Sequence, residues 1–252
     1  MSDLRFSFPA SVIAAKGEIT RDDVMLLRCH LWPEGITSRL QASMAIALDA
    51  CCSAQCPEWR VFLVEAITAF VVGCESPNGE VTGSTAGWLL EWLAERGVLR
   101  SKAALDIVLH VLETAHEAPR FLSAMALNQV RLALLPEPVG SYAQGRDAAG
   151  AKGGAVTAAD IAFIWRVLRK SFECGCMHLS RSERLVLAAI DGLARPEEHH
   201  PDWRDILAVA QVTWPVGSIG GTNHHWDAQG PEERSASLVA TTDRWMFRHP
   251  AA

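Results

Sequence analysis

WRVFLVEAITAFVV, residues 59–72, is answered near the other end of the chain by WRDILAVAQVTWPV, residues 203–216. Both runs open on Trp-Arg, and each follows a proline and an acidic residue, Pro57-Glu58 and Pro201-Asp202. Apolar residues recur at helical spacing in both. The first run uses Trp59, Phe62, Leu63, Ala66, Ile67 and Phe70; the second uses Trp203, Ile206, Leu207, Ala210 and Trp214. A period of about 3.6 residues gathers each set on one side of a helix, so both runs predict helices with one broad buried face. A core helix written twice points to an internal duplication.

The correspondence extends upstream. Gly17-Glu18-Ile19-Thr20 leads to Asp23, and Gly154-Ala155-Val156-Thr157 leads to Asp160. In each, the Thr is a helix cap and the Asp three residues on sits where the helix dipole favours negative charge. Ser180-Arg181 then matches Ser38-Arg39, and Asp191 matches Asp49. The offset grows from 137 at Ile19/Val156 to 142 at Ser38/Ser180 and 144 at Trp59/Trp203, so the second copy carries two small insertions. The larger holds Cys174-Gly175-Cys176.

Further helices are expected from Thr20 to about Leu31, where Pro33 and Gly35 stop it, and from a cap at Thr37 or Ser38 through Ala50. Others are expected over Ala86–Arg96, Lys102–Glu117 and Pro119–Leu135. The Trp88 and Trp92 stripe and Trp165 read as core. No strand-like alternation persists, and the fold class is all-α, an internally duplicated helical bundle. Its expected parts are a loose lead-in over 1–16, a first copy over 17–139, a Gly/Ala-rich linker over 140–153, and a second copy over 154–252 with a Gly-rich tail.

A formal charge of −6 argues against a nucleic-acid or anionic-membrane partner. No apolar run approaches the roughly 18–20 residues that span a bilayer. The N-terminal MSDLRFSFPASVIAAKG does not read as a secretory signal, and the seven cysteines are an odd number in a chain long enough to need no disulfide framework. The expectation is a reduced, cytoplasmic protein.

Gly-x-(Ile/Val)-Thr recurs at 17–20, 79–82 and 154–157, with a looser relative at His178-Leu179-Ser180-Arg181-Ser182-Glu183. A Gly, an apolar residue and a hydroxyl cap is how an EF-hand loop turns into its exiting helix. The pattern also resembles the helix-opening motif of TerB-type helical domains, which are associated with tellurite resistance. The duplicated arrangement over about 17–216 is similar to tandem TerB-like bacterial proteins. That resemblance implies metal-responsive or stress-linked helical modules without a known active site. The EF-hand ligands themselves are missing. With Gly17 at loop position six, Val12, Ala14 and Lys16 fill the ligand slots; with Gly154, Ala149, Ala151 and Gly153 do; with Gly79, Cys74 opens the loop and Thr85 closes it.

The sharpest chemical cluster is Cys174-Gly175-Cys176-Met177-His178, with His199 and His200 just before the second Trp-led helix. Thiolates and imidazoles suit a soft transition metal such as zinc, but the spacing is Cys-x-Cys and no second cysteine pair follows. Cys51, Cys52 and Cys56 precede the first Trp-led helix, in the slot where the second copy has His199 and His200. The competing reading makes the cysteines small buried hydrophobes and the histidines solvated loop residues. His224-His225-Trp226-Asp227 follows Gly220-Gly221 as a second loop of polar groups. Gly145–Lys152 fails as a phosphate-binding loop, because Ala151 intrudes and no strand precedes it.

The leading expectation is a non-catalytic helical protein acting through a partner protein, with no cofactor. Its rival is a metal-binding protein or metal-dependent enzyme using Cys174, Cys176, His178, His199 and His200. A third reading, a structural subunit of a larger assembly, predicts a stable oligomer, such as a homo-oligomer, or a co-purifying partner.

Overall fold

The structure is a computed structural model that describes residues 7–76, 78–151, 153–173, 176–194 and 197–212. It is mostly helical, with eleven α-helices among the described residues and strands confined to two-residue pairs. The chain divides into two compact units. Unit 1 takes the residues up to Glu95 and Leu99–Pro119; unit 2 takes Arg96–Val98 and the residues from Arg120.

Unit 1 begins with α1 (Ala10–Lys16), which buries Ala10 and Ile13 and ends at Gly17 in the left-handed region, φ 70°. The lead-in expected to be loose is therefore helical over its second half. Ala10 and Ile13, three apart, share one face, and a glycine can adopt the conformation that stops the turn. α2 (Arg21–Leu26) starts from a complete capping box: Thr20 Oγ1 accepts the Asp23 N–H, and Asp23 accepts the Thr20 N–H at 2.8 Å. It widens into a π-helical turn, Leu27–Leu31, closed by Trp32 N–H to Leu27 O at 2.9 Å. The expected end near Leu31 is met, by a wider turn than the spacing alone suggests.

α3 (Arg39–Cys51) is capped by Ser38. α4 (Pro57–Ala69) has Pro57 in its first turn and continues as a π turn, Phe70–Cys74. α5 (Gly83–Leu93) and α6 (Lys102–Thr114) are capped by Thr82 and Ser101. α4 lies against α6 and α2 and buries Trp59, Phe62, Leu63, Ile67 and Phe70, the face its periodicity predicts. Glu18–Ile19 and Ala54–Gln55 pair in parallel, so α2 and α4 leave one ladder in the same direction.

The caps are local enough to test individually. Ser38→Ala removes the acceptor for the Gln41 N–H, 3.3 Å away, and should lower stability by about 1 kcal/mol in urea denaturation, whereas Ser38→Gly should lose only a few tenths.

Unit 2 is built on α7 (Arg120–Ala133), which is buried along most of its length. Around it pack α8 (Ser141–Ala148), α9 (Ala158–Leu168) and α10 (Arg181–Asp191), and α11 (Asp202–Val212) lies on α9. Capping boxes open α9 (Thr157 with Asp160) and α10 (Ser180 with Glu183). The pair Phe172–Glu173 with Cys176–Met177 is antiparallel.

Two boundaries differ from the sequence reading. α7, expected in the first copy, belongs to unit 2, where Ser123 Oγ donates to the fully buried Glu183 of α10. The stretch 140–153, expected to be a linker, contains α8, with Ala143 and Arg146 buried. Gly140, at φ 95°, starts that helix in a conformation and a space suited to glycine: a Cβ there would lie 2.9 Å from Val98 Cγ1. Its Gly/Ala composition conceals the helix because α8 is held by single side chains, with Tyr142 and Arg146 both bonded to Asp160 of α9.

Candidate functional site

In unit 2 the Cys/His stretch and the histidine pair both approach α11. Cys176–Met177 lies against that helix, and Met177 is buried. His178, next in the chain, is exposed and donates its backbone N–H to Ser171 O at 2.7 Å. Cys174 and the side chain of Cys176 lie outside the described residues, as does the loop at His224–Asp227.

His199 and His200 differ in surroundings although adjacent. His199 is buried against Trp203, ring centroids 5.9 Å apart, and its Nδ1 accepts the Val156 N–H at 3.0 Å. A neutral imidazole that accepts at Nδ1 carries its proton on Nε2. In this arrangement neither nitrogen of His199 presents a lone pair to a metal. Nε2 is buried and meets no acceptor among the described residues. His200 donates its N–H to Val156 O at 2.8 Å, and its Nδ1 accepts the Asp202 N–H at 3.3 Å. Among the described residues no three His, Cys, Asp or Glu side chains are grouped to hold an ion.

The tryptophan ahead of each repeated run makes the same bond. In unit 1, Trp59 Nε1 donates to Asp49 Oδ1 at 3.0 Å; in unit 2, Trp203 Nε1 donates to Asp191 Oδ1 at 2.9 Å. Asp49 also accepts from Ser101 Oγ at 3.2 Å, while Gln55 Nε2 donates to the Asp49 and Cys52 carbonyls at 2.8 and 2.9 Å. Burial holds the Asp49 carboxyl above the usual carboxylate range, against the opposing pull of these donors. Burial likewise pushes up the neighbouring Cys52 thiol, which donates to Ile13 O at 3.8 Å. Thus Cys52 fits the buried-hydrophobe reading, whereas Cys51 is exposed.

Sequence reasoning missed a buried ion pair in unit 2. Arg146 and Asp160 are 6% and 0% exposed. Arg146 Nη2 donates to Asp160 Oδ2 at 2.9 Å, and Nε lies 2.9 Å from Oδ1 as an ion-pair contact off the line of a good hydrogen bond. Tyr142 donates to Asp160 Oδ1 at 2.8 Å, and burial together with that carboxylate pushes its phenol pKa up. Asp160 meanwhile completes the Thr157 cap. The i to i+3 cap was visible in the sequence; the arginine that meets it was not.

On the outside of unit 1, Met25 of α2 and Val61 of α4 are 58% and 56% exposed. Arg21 and Glu58, in the first turns of those helices, approach to 3.8 Å; Met25 and Val61 follow them about one turn later. Among the described residues no helix is long and apolar enough to cross a membrane. No family model, curated protein or solved structure matches the chain.

Proposed function

We propose that this chain is a non-catalytic helical protein made of two TerB-like copies, and that it acts by holding a partner protein on the outer face of α2 and α4. The observation that carries the partner reading is the pair Met25 and Val61, large apolar side chains left in water on neighbouring helices. Four enclosed or half-buried carboxylates have other work: Asp49, Asp191, Asp160 and Glu183 bind the ends of helices or tie one helix to another. A reduced, cytoplasmic setting belongs to the same proposal.

The two-copy reading is supported by bonds that recur at matching positions. Ile19 O accepts the Cys56 N–H at 3.0 Å, and Val156 O accepts the His200 N–H at 2.8 Å. Each acceptor precedes a Thr–Asp capping box, and each donor precedes a Trp-led helix. In this alignment His199 takes the place of Gln55, whose amide closes the end of α3, so a structural role for His199 follows naturally.

Native mass spectrometry of the protein, purified from its own cells without a metal-affinity tag, tests the reading. The expected result is a second polypeptide at fixed stoichiometry that is lost in Met25→Glu/Val61→Glu while the fold persists. Retention of the partner by that variant would refute the assigned face. Stoichiometric metal that disappears in Cys174→Ser/Cys176→Ser would instead establish the metal-binding alternative, and a homogeneous multiple of the chain mass would establish the structural subunit.

A further inference from the structure

Asp49 is a carboxylate shut into unit 1, and no cation among the described residues forms an ion pair with it. Its side chain sits where three helices meet: it is carried by α3, bonded to Trp59 of α4, and bonded to Ser101 at the start of α6. The residue is only 9% exposed, and both of these donors are neutral.

Among the described residues, basic groups next to these contacts pair elsewhere or are exposed. Arg60 of α4 pairs with Asp106 of α6 at 2.8 Å. Arg100 and Lys102, on either side of Ser101, are exposed. Lys16 of α1 pairs with Asp23, and Cys52 is the titratable neighbour on the carboxyl's own segment. Asp49 also lies in the last turn of α3, the negative end of that helix. The positive end of α6 reaches it through Ser101, whose Oγ is itself occupied in accepting the Ala104 N–H at 3.1 Å.

We propose that Asp49 is an acid-responsive lock on the junction of α3, α4 and α6: a protonated carboxyl holds unit 1 at its tightest, and ionisation loosens it. The physical basis is the transfer of a charge from water into a cage of neutral dipoles, which replaces hydration incompletely. Burial raises the native carboxyl above its ordinary range, so the native state keeps this proton to higher pH than the unfolded chain does. The stabilising contribution is accordingly full below about pH 3.9, the ordinary aspartate value, and is lost as pH rises through the native one.

The Trp59 indole N–H is a direct reporter, since it donates to the titrating carboxyl group. In nitrogen-15 spectra of the full chain, with the resonance identified by its loss in Trp59→Phe, it should titrate with a midpoint above about 3.9. The same titration should vanish in Asp49→Asn. The urea midpoint of the wild type, taken relative to Asp49→Asn at each pH, should fall as pH rises through that midpoint. Ser101→Ala removes a donor to the ionised form and should move the indole midpoint upward. An indole resonance that is flat or titrates at or below the ordinary aspartate value, a wild-type difference from Asp49→Asn that is independent of pH, or a midpoint unmoved by Ser101→Ala would each overturn the proposal. The indole titration needs only the wild type, so it decides even where Asp49→Asn fails to fold.

Discussion

Arg146→Ala is expected to destabilise unit 2 by about 3–5 kcal/mol, because it leaves the Asp160 carboxylate enclosed without its counter-charge. Arg146 does more than neutralise. Its guanidinium donates to Ala155 O at 2.9 Å and reaches Ala133 O and Gly153 O at 3.3 and 3.4 Å, gathering the end of α7 and the approach to α9 around α8. Truncation therefore removes the ion pair and uncovers carbonyls together. The measurement is the urea unfolding midpoint of the full chain. Asp160→Asn alone should also be costly, since it strands the guanidinium and weakens the Thr157 cap. Arg146→Met combined with Asp160→Asn should cost less than the sum of the two single changes, because neither charge remains to be stranded. Strict additivity, or an Arg146→Ala cost within about 0.5 kcal/mol, would show that water reaches the carboxylate easily.

Trp59→Ala is the second large effect, at about 3–5 kcal/mol. Trp59 is fully buried at the start of α4, stands 5.8 Å from the Phe62 ring, and donates to Asp49. Alanine leaves a cavity among α3, α4 and α6 and an acceptor short of its donor. Trp59→Phe separates these two losses: most of the volume stays, the indole N–H goes, and a cost of about 1–3 kcal/mol is expected. Equal costs for the two variants would mean that the hydrogen bond, rather than the packing, holds the junction. Thermal or urea unfolding followed by far-ultraviolet dichroism reads both.

The legible parts of the fold were those written within a few residues. Thr20 with Asp23, Thr157 with Asp160 and Ser180 with Glu183 satisfy helix-end donors across three positions, so their caps follow from order alone. The Trp-led helices were legible for a related reason, since a repeating apolar face declares itself over a dozen residues. Asp49 and Asp191 could be matched by position, but that each accepts a tryptophan N–H required coordinates. Among the candidate ligands, His199 illustrates the limit. Its chemistry is open in the sequence and is decided by the Val156 amide, 43 positions earlier.

Residue order alone fixes local features: a helical chain, the places where most of its helices begin, and the buried face of the helix at Trp59. Tertiary structure alone decided that Tyr142–Arg146 lies in a packed helix, that α7 joins unit 2, and that Ser101 closes over Asp49 from 52 positions away. The physical reason is common to all three. Short-range hydrogen bonds and periodic burial depend on spacing along the chain, whereas a buried charge is tolerable only where the fold delivers a partner, and composition carries no record of that delivery.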